Sequence, residues 1–220
     1  MNDTLSFFSG FGPRDFLFLG EAALRTLWIS LIAISIGTGM GVIFGWLLFE
    51  GKLLATLTLA PVLDVFRSVP LLIQLVLFYN FAPMVGLNLA PFGSGVVILA
   101  IYTAALVASV ARGGFEAVGV PMRRASRSLG MSYWQDLRHV VMPIGMRAVF
   151  PAWVGVALGV MKDSALVSVL GYVELLKASQ ILITRTQQPL LILALAGAFY
   201  FALSYPISRY AARLEERWEQ

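Results

Sequence analysis

Long stretches without charged residues alternate with short charged segments along this chain. Residues 26–49, 93–111 and 190–208 contain no Asp, Glu, Lys or Arg. A helix needs ~20 apolar residues to cross the ~30 Å hydrocarbon core of a bilayer. Each of these runs therefore predicts a transmembrane helix.

Two further apolar stretches are interrupted by polar residues. Residues 53–83 contain Asp64 and the sequence Arg67-Ser68-Val69-Pro70, and residues 148–173 contain Lys162-Asp163-Ser164. A proline inside a helix removes a backbone hydrogen bond and bends or breaks the helix. If both stretches cross the bilayer, the sequence predicts five spans, at about 26–49, 53–83, 93–111, 146–170 and 190–210.

The composition agrees with this pattern. The chain has 220 residues, of which 59% are hydrophobic and 13% charged, whereas soluble domains have roughly 45–50% apolar and about 25% charged residues. We therefore expect an all-α integral membrane protein with one domain, 1–220. We expect no metal site, no catalytic residue, no cofactor in this chain and no nucleic-acid partner.

Positive charge is distributed unevenly between the two predicted membrane faces. Ten of the 16 Lys and Arg residues fall on the face that holds segment 112–145 and the C-terminus, and four fall on the other face. Cytoplasmic loops are enriched in Lys and Arg. The sequence therefore predicts a cytoplasmic C-terminus and an N-terminus outside.

The first predicted span carries a glycine at every fourth position. Gly37, Gly41 and Gly45 form the small-residue pattern that lets two helix backbones approach closely in lipid. Glycine is also common in transmembrane helices without any packing role. The sequence leaves the two interpretations open.

Ionisable residues within the interrupted spans are candidates for substrate contact. A charged residue in the bilayer costs at least ~2.5–3.5 kcal/mol on insertion scales and usually faces a partner or a cavity. Transporters place substrates where helices are discontinuous. We predict that Arg67 and Asp163 would bind the carboxylate and ammonium groups of a zwitterionic solute. The predicted pathway comprises Arg67, Pro70, Gln74, Asp163 and Ser164.

Each charge also has a simpler interpretation. Arg67 and Asp64 stand three residues apart, as in a local helical ion pair. Lys162-Asp163 can mark the outer end of a span that continues as an interfacial helix. The sequence does not decide between these interpretations and substrate contact.

Residues 121–143 predict a helix, a turn and a second helix. Pro121 suits a helix N-terminus and Gly130 suits the position that follows a helix end. Ser132 and Gln135 fit a capping box, and the second helix is predicted to end at Pro143. The unit is either a rigid cytoplasmic element or an amphipathic helix lying on anionic lipid headgroups.

Three sequence segments resemble one protein family. The spacing of Leu129-Gly130 and Val140-Val141 before Pro143 resembles the cytoplasmic loop signature of permease subunits in binding-protein-dependent ABC importers. The segments "FRSVPLLIQLVLFY" (66–79) and "MKDSALVSVLG" (161–171) look like the branch that takes up polar amino acids. The order and spacing of the segments extend the resemblance over most of the chain.

The resemblance implies a type I ABC importer permease of a bacterial inner membrane. In that family the loop docks as a coupling helix into an ATP-binding subunit, so Arg124, Ala125, Leu129 and Gly130 are the expected coupling residues. The family's loop usually opens Glu-Ala-Ala, where this chain has Arg124-Ala125-Ser126. Its membrane segment commonly reads Arg-Gly-Thr-Pro, where Ser68 and Val69 stand here.

The expected partners follow from the same resemblance. They are a second permease subunit (a copy of this chain or a paralogue), two ATP-binding cassette subunits that bind ATP and Mg²⁺, an extracytoplasmic amino-acid-binding protein and membrane lipid. The chain has no G-x-x-x-x-G-K-[ST] loop with which to bind ATP.

We therefore expect the pore subunit of an ATP-driven importer for a polar amino acid, with acidic or amide side chains slightly favoured. The first alternative is an ion- or proton-coupled secondary transporter, with Asp64 or Asp163 as the proton site. The second alternative is a scaffold subunit that transports nothing. An ATP requirement separates the importer from the secondary transporter, and any solute flux excludes the scaffold.

Overall fold

The computed structural model describes residues 10–219. The first nine residues belong to the N-terminus that we predict to face the outside of the membrane, and they are not in the described range. Nine α-helices and no strand occur in this range. They are α1 (Pro13–Glu50), α2 (Lys52–Ser68), α3 (Leu71–Phe81), α4 (Pro91–Glu116), α5 (Val120–Ser128), α6 (Tyr133–Asp136), α7 (Met142–Asp163), α8 (Leu175–Thr186) and α9 (Pro189–Glu219). Short 3-10 or π-helical segments cover Ala82–Val85, Leu137–Val141 and Ser164–Leu170.

The helices that can cross a membrane agree with the predicted fold class. Among the described residues, α1, α4, α9 and the continuous helical segment Tyr133–Leu170 are each long and apolar enough. The segments Leu53–Ser68 and Leu71–Val85 form a further, bent pair with an angle of 104° between them. Counting this pair as one broken span gives five, which confirms an all-α membrane protein.

The break between α2 and α3 lies at the predicted proline. Val69 has φ −79° and ψ 131°, because the ring of Pro70 disfavours helical backbone in the residue before it. The side-chain amide of Gln74 donates hydrogen bonds to the carbonyls of Phe66 (2.8 Å) and Val69 (2.7 Å). Carbonyls released by the break are thus satisfied by protein, as the interior of a bilayer requires.

The prediction that the second loop helix ends at Pro143 is wrong. The helix that begins at Tyr133 continues through Pro143 to Leu170. A π-helical turn, Leu137–Val141, lies immediately before α7. This wider turn gives room for a proline ring that would clash with the carbonyl four residues earlier in a regular helix. Residues 117–132, which include α5, therefore connect α4 to this long helical segment.

The glycines of α1 pack directly against α4. A Cβ atom built on Gly37 would lie 2.5 Å from the Cβ of Thr103, and one on Gly41 would lie 2.6 Å from the Cβ of Val107. A Cβ on Gly45 would lie 2.7 Å from a backbone carbonyl oxygen of α4. Only a residue without a side chain fits such a crossing. The packing interpretation of these glycines is confirmed.

One buried cluster brings the two interrupted spans together. Ile29 of α1, Leu75 of α3, Leu99 of α4, Val160 of α7 and Val167 of the following 3-10 segment share this apolar core. Leu75 follows the Pro70 break, and the two valines stand on either side of the 162–164 interruption. The core therefore positions both interruptions in one region of the fold.

The α1–α4 crossing generates a prediction about stability. Replacing Gly41 with Ala should destabilise the folded protein by about 1–3 kcal/mol, since the added methyl group overpacks a contact with no free space. Thermal unfolding in mild detergent measures the difference.

Gly39→Ala is the matched control, because a Cβ at Gly39 would meet no atom within 4 Å. We expect the control to unfold at the wild-type temperature or slightly above it. Equal loss of stability in both variants would contradict a specific role for the glycine contact.

Candidate functional site

Helix α5 ends in a turn that requires glycine. Gly130 has φ +85°, a left-handed conformation that residues with a side chain seldom adopt. Its amide donates to the carbonyl of Arg127 (3.0 Å), and the amide of Met131 donates to the carbonyl of Ser126 (3.2 Å). These bonds satisfy carbonyls at the helix end. The predicted glycine turn is confirmed.

The helix that follows begins at the predicted capping box. The hydroxyl of Ser132 accepts a hydrogen bond from the amide of Gln135 (3.4 Å), and the Gln135 side chain accepts one from the amide of Ser132 (2.8 Å). This reciprocal pair fixes the start of α6 two residues after the glycine turn. The geometry of the loop is thus set by local backbone interactions.

A buried carboxylate holds the inner side of α5. Asp136 is fully buried and accepts hydrogen bonds from the hydroxyl of Ser126 (2.5 Å) and from Nε of Arg123 (3.1 Å). An unpaired buried carboxylate is energetically costly, so these two partners are required for its burial. We call Arg123, Ser126 and Asp136 the loop latch.

The latch also connects to the end of α1. The Tyr133 hydroxyl donates to the carboxylate of Glu50 (2.8 Å) and accepts a hydrogen bond from the indole nitrogen of Trp46 (2.9 Å). Arg123 lies 3.8 Å from the Glu50 carboxylate and 5.2 Å from the centre of the Phe49 ring. Helix α5 is therefore attached to α1 as well as to α6.

The outer side of α5 carries the predicted coupling residues. Arg124 and Ala125 are exposed, and Leu129 is 81% exposed. Arg124 and Arg127 line an open groove of about 700 Å³, which Arg123 and Asp136 of the loop latch also line. Within the described part of the chain, no carboxylate forms an ion pair with Arg124 or Arg127. This surface is free to bind another molecule.

Sequence reasoning missed most of the residues that hold the loop in place. Asp136 is the single acidic residue in segment 117–145, which also contains four arginines. A single carboxylate among several arginines was the signal from which an ion pair with one of them could have been predicted. Glu50 and Tyr133 gave no comparable signal, because they are 83 positions apart in the sequence.

Arg67 lies at the end of α2 and forms an ion pair with Asp64. The local ion pair weighed against substrate contact is thus present, although the arginine remains exposed. Gln74 is buried, and its amide nitrogen bonds the backbone at the Pro70 break, while its Oε1 has no partner among the described residues.

Asp163 and Ser164 lie where α7 changes into the 3-10 segment. Asp163 is half-buried, whereas Ser164 is fully buried, with its hydroxyl 3.1 Å from that of Ser30. No hydrogen bond or ion pair joins Arg67 to Asp163 within the described residues. The two predicted charges share a region of the fold without touching.

The serine contact continues into a buried polar network next to α8. Ser30 donates to the carbonyl of Thr26 (2.6 Å), and the Thr26 hydroxyl lies 3.4 Å from the carboxylate of Glu174. Glu174 also caps α8 and contacts the Tyr200 hydroxyl (3.3 Å). Burial raises the pKa of the Glu174 carboxyl above its usual value. This network joins α1, α8 and α9.

No group of three or more potential metal ligands occurs in residues 10–219. What the fold does present is a set of membrane-crossing helices, one of them broken by a proline, and a rigid loop with an exposed outer surface. These features define a multi-span membrane protein with a loop surface exposed to a partner.

A family model described as "binding-protein-dependent transport system inner membrane component" matches residues 37–220. The chain therefore belongs to that family of importer permeases.

Individual relatives are similar to this protein over nearly the whole chain. It is 29% identical to the glutamine transport system permease protein GlnP of Escherichia coli K12, covering 90% of this chain and 91% of that protein. It is also 29% identical to the probable glutamine ABC transporter permease protein GlnP of Bacillus subtilis 168, covering 97% and 99%. The recognised resemblance to the amino-acid branch is thus confirmed.

Solved structures share the fold. The crystal structure of an amino acid ABC transporter with histidines superposes with a TM-score of 0.82 at 30% identity, covering 91% of this chain and 94% of that one. The MetNI methionine ABC transporter in an inward-facing conformation superposes with a TM-score of 0.77 at 20% identity, covering 94% and 99%. The latter supports the fold alone.

The loop latch generates a second prediction. Replacing Asp136 with Asn should loosen α5, because the neutral amide leaves the Arg123 charge without its closest partner. We expect trypsin to cleave after Arg124 and Arg127 about tenfold faster, since loss of a charged hydrogen bond costs about 1.5–3 kcal/mol. Mass spectrometry of a digestion time course measures the rate.

Glu116→Gln is the matched control, since it removes a carboxylate from an exposed ion pair with Arg112. Exposed pairs contribute little to stability, so cleavage should proceed at the wild-type rate. If both variants are cleaved at that rate, the latch does not hold α5.

Proposed function

We propose that this chain is a pore subunit of an ATP-driven importer for a polar amino acid, with ATP hydrolysed by a separate subunit. The observation that carries the proposal is helix α5, which is fixed on its inner side and exposed on its outer side. A loop held to α1 and α6 by buried contacts can transmit movement of a bound ATPase to the spans. A flexible loop could not do so.

The coupling surface in this proposal consists of Arg124, Ala125, Leu129 and Gly130. Gly130 permits the turn, and Ala125 leaves room for close approach of the partner. Leu129 supplies an exposed apolar contact. The alternative of a secondary transporter with Asp64 or Asp163 as proton site gives the latched loop no role, so we do not favour it.

The assembly would contain two permease subunits (two copies of this chain, or this chain and a paralogue) and two ATP-binding subunits. Large apolar side chains of α2, among them Leu53, Leu57 and Val62, are exposed in the isolated chain, and lipid or the second permease would cover them. An extracytoplasmic binding protein would deliver the amino acid. The distribution of Lys and Arg supports a cytoplasmic loop and C-terminus in a bacterial inner membrane.

The names of the relatives support an amino acid with an amide side chain, and glutamine is the first substrate to test. The proposed pathway passes the interruptions at Pro70 and at residues 163–164. In this proposal Arg67 and Asp163 provide charges for the solute, while Gln74 and Ser164 keep the adjacent backbone in place. In this proposal the carboxylate of the solute replaces the Asp64 carboxylate as the ion-pair partner of Arg67.

The test is uptake of labelled glutamine into vesicles that contain this chain, the ATP-binding subunit that co-purifies with it and the binding protein. We expect uptake to require ATP on the side of the membrane that carries the ATP-binding subunits. Uptake should persist when ion gradients are abolished. Uptake driven by an ion gradient without ATP would overturn the proposal in favour of a secondary transporter.

Replacing Gly130 with Val should uncouple ATP hydrolysis from uptake, because a β-branched residue resists positive φ. Uptake per ATP hydrolysed should fall about tenfold or more, since a left-handed backbone at a residue other than glycine costs about 1–3 kcal/mol and the turn would shift to relieve it. Gly113→Val is the control, as a Cβ there would meet no atom within 4 Å. Unchanged coupling in Gly130→Val would argue against the role of the turn.

Arg67→Ala should abolish uptake without loss of assembly, because it removes the cation proposed to bind the solute carboxylate. Asp64→Ala removes the other half of the same ion pair and should retain uptake. Uptake and size-exclusion profiles are measured for both variants. If both variants lose assembly, the ion pair is structural and Arg67 is not a substrate residue.

A further inference from the structure

The charges of the loop are only partly balanced within the chain. Segment 117–145 contains the arginines 123, 124, 127 and 138 and a single carboxylate, Asp136. Asp136 is buried and is engaged by Arg123 and Ser126. The one carboxylate of the segment thus pairs with Arg123, and Arg124 and Arg127 leave the groove with an excess of positive charge.

Arg124 and Arg127 form a pair on that exposed side. They stand three positions apart on the helix, so their side chains are neighbours. Both line the open groove of about 700 Å³, which Arg123 and the buried Asp136 also line. Among the described residues, neither Arg124 nor Arg127 has a carboxylate within ion-pair distance. Two adjacent guanidinium groups repel each other unless an anion lies between or opposite them.

The residues around the two arginines favour a protein over a lipid surface. A helix that lies on a membrane presents large apolar side chains to the bilayer, with cations on its polar side. Between Arg124 and Arg127 stand Ala125 and Ser126, of which Ala125 is exposed and Ser126 is turned inward to the latch. The exposed apolar residue Leu129 lies at the end of the helix, beside the glycine turn. A short rigid helix with small central residues fits a protein groove.

From this arrangement we infer that the surface of the ATP-binding partner that receives α5 is acidic, with carboxylates opposite Arg124 and Arg127. The inference rests on the proposed function and adds the chemistry of the contact. Arginine suits the role because its planar guanidinium binds a carboxylate with two parallel hydrogen bonds. Complementary charge would also select the matching ATPase among similar ones, since like charges across an interface are strongly unfavourable.

Binding of the co-purifying ATP-binding subunit to this chain tests the inference. The chain is placed in nanodiscs of phosphatidylcholine, which contain no anionic lipid. Arg124→Glu combined with Arg127→Glu should raise the dissociation constant about tenfold or more, because each reversal sets like charges against each other. Added salt should weaken wild-type binding and have less effect on the variant.

Arg213→Glu is the matched control, because it makes the same charge change on an exposed arginine of α9. Its dissociation constant should equal that of the wild type. Leu129→Ala gives a second comparison, since it tests the apolar contact without changing charge.

A direct chemical measurement identifies the partner's groups. In the Arg124→Lys variant, a carbodiimide can join the introduced amine to a carboxylate in contact with it, and mass spectrometry locates the bond. We expect a cross-link to an Asp or Glu of the ATP-binding subunit, and none from Arg213→Lys.

The outcomes separate the inference from the proposed function. If the ATPase binds, charge reversal has no effect and no cross-link forms, the acidic surface is wrong while the importer proposal stands. If binding requires phosphatidylglycerol in the nanodisc and no cross-link forms, the arginines bind lipid and the inference is again wrong. If no ATP-binding subunit associates with the wild-type chain, the proposed function itself fails.

Discussion

The close crossing of α1 and α4 is the constraint on which the other helices depend. In a bilayer there is no hydrophobic force between helices, so association relies on packing of surfaces that fit closely. Gly37, Gly41 and Gly45 remove the side chains that would separate the two backbones. A second close contact, between Gly114 and Gly145, brings α7 against the C-terminal end of α4. Helix α4 is thus the central element around which α1 and α7 are arranged.

The loop is positioned by this central packing through a few polar contacts. The C-terminal end of α1 presents Glu50, which binds Tyr133 and lies near Arg123. Asp136 then fixes α5 by accepting hydrogen bonds from two of its side chains. Because a buried carboxylate that loses its partner is costly, these contacts hold α5 against α1 and α6. A displacement of α5 would therefore strain its contacts with both helices.

The interruptions of the spans are stabilised by side chains that replace missing backbone bonds. Gln74 bonds two carbonyls at the Pro70 break, and Ser164 bonds the carbonyl of Met161 where the helix tightens. Irregular backbone at membrane depth requires such internal partners. Of the residues predicted to touch solute, Gln74 and Ser164 bond backbone carbonyls. Arg67 pairs with the exposed Asp64, and Asp163 is half-buried, so these two remain the charged candidates.

Features that depend on residues close to one another in the sequence were predictable, because they follow from local backbone chemistry. The spans, the Pro70 break, the Gly130 turn and the capping box are of this kind. Pro143 was misread because a preceding π-helical turn accommodates a proline that would otherwise end a helix. The function of Asp136 and the glycine contacts with α4 were decided by tertiary structure alone. Both depend on which helices cross and at what distance, and that is fixed only when the whole chain packs.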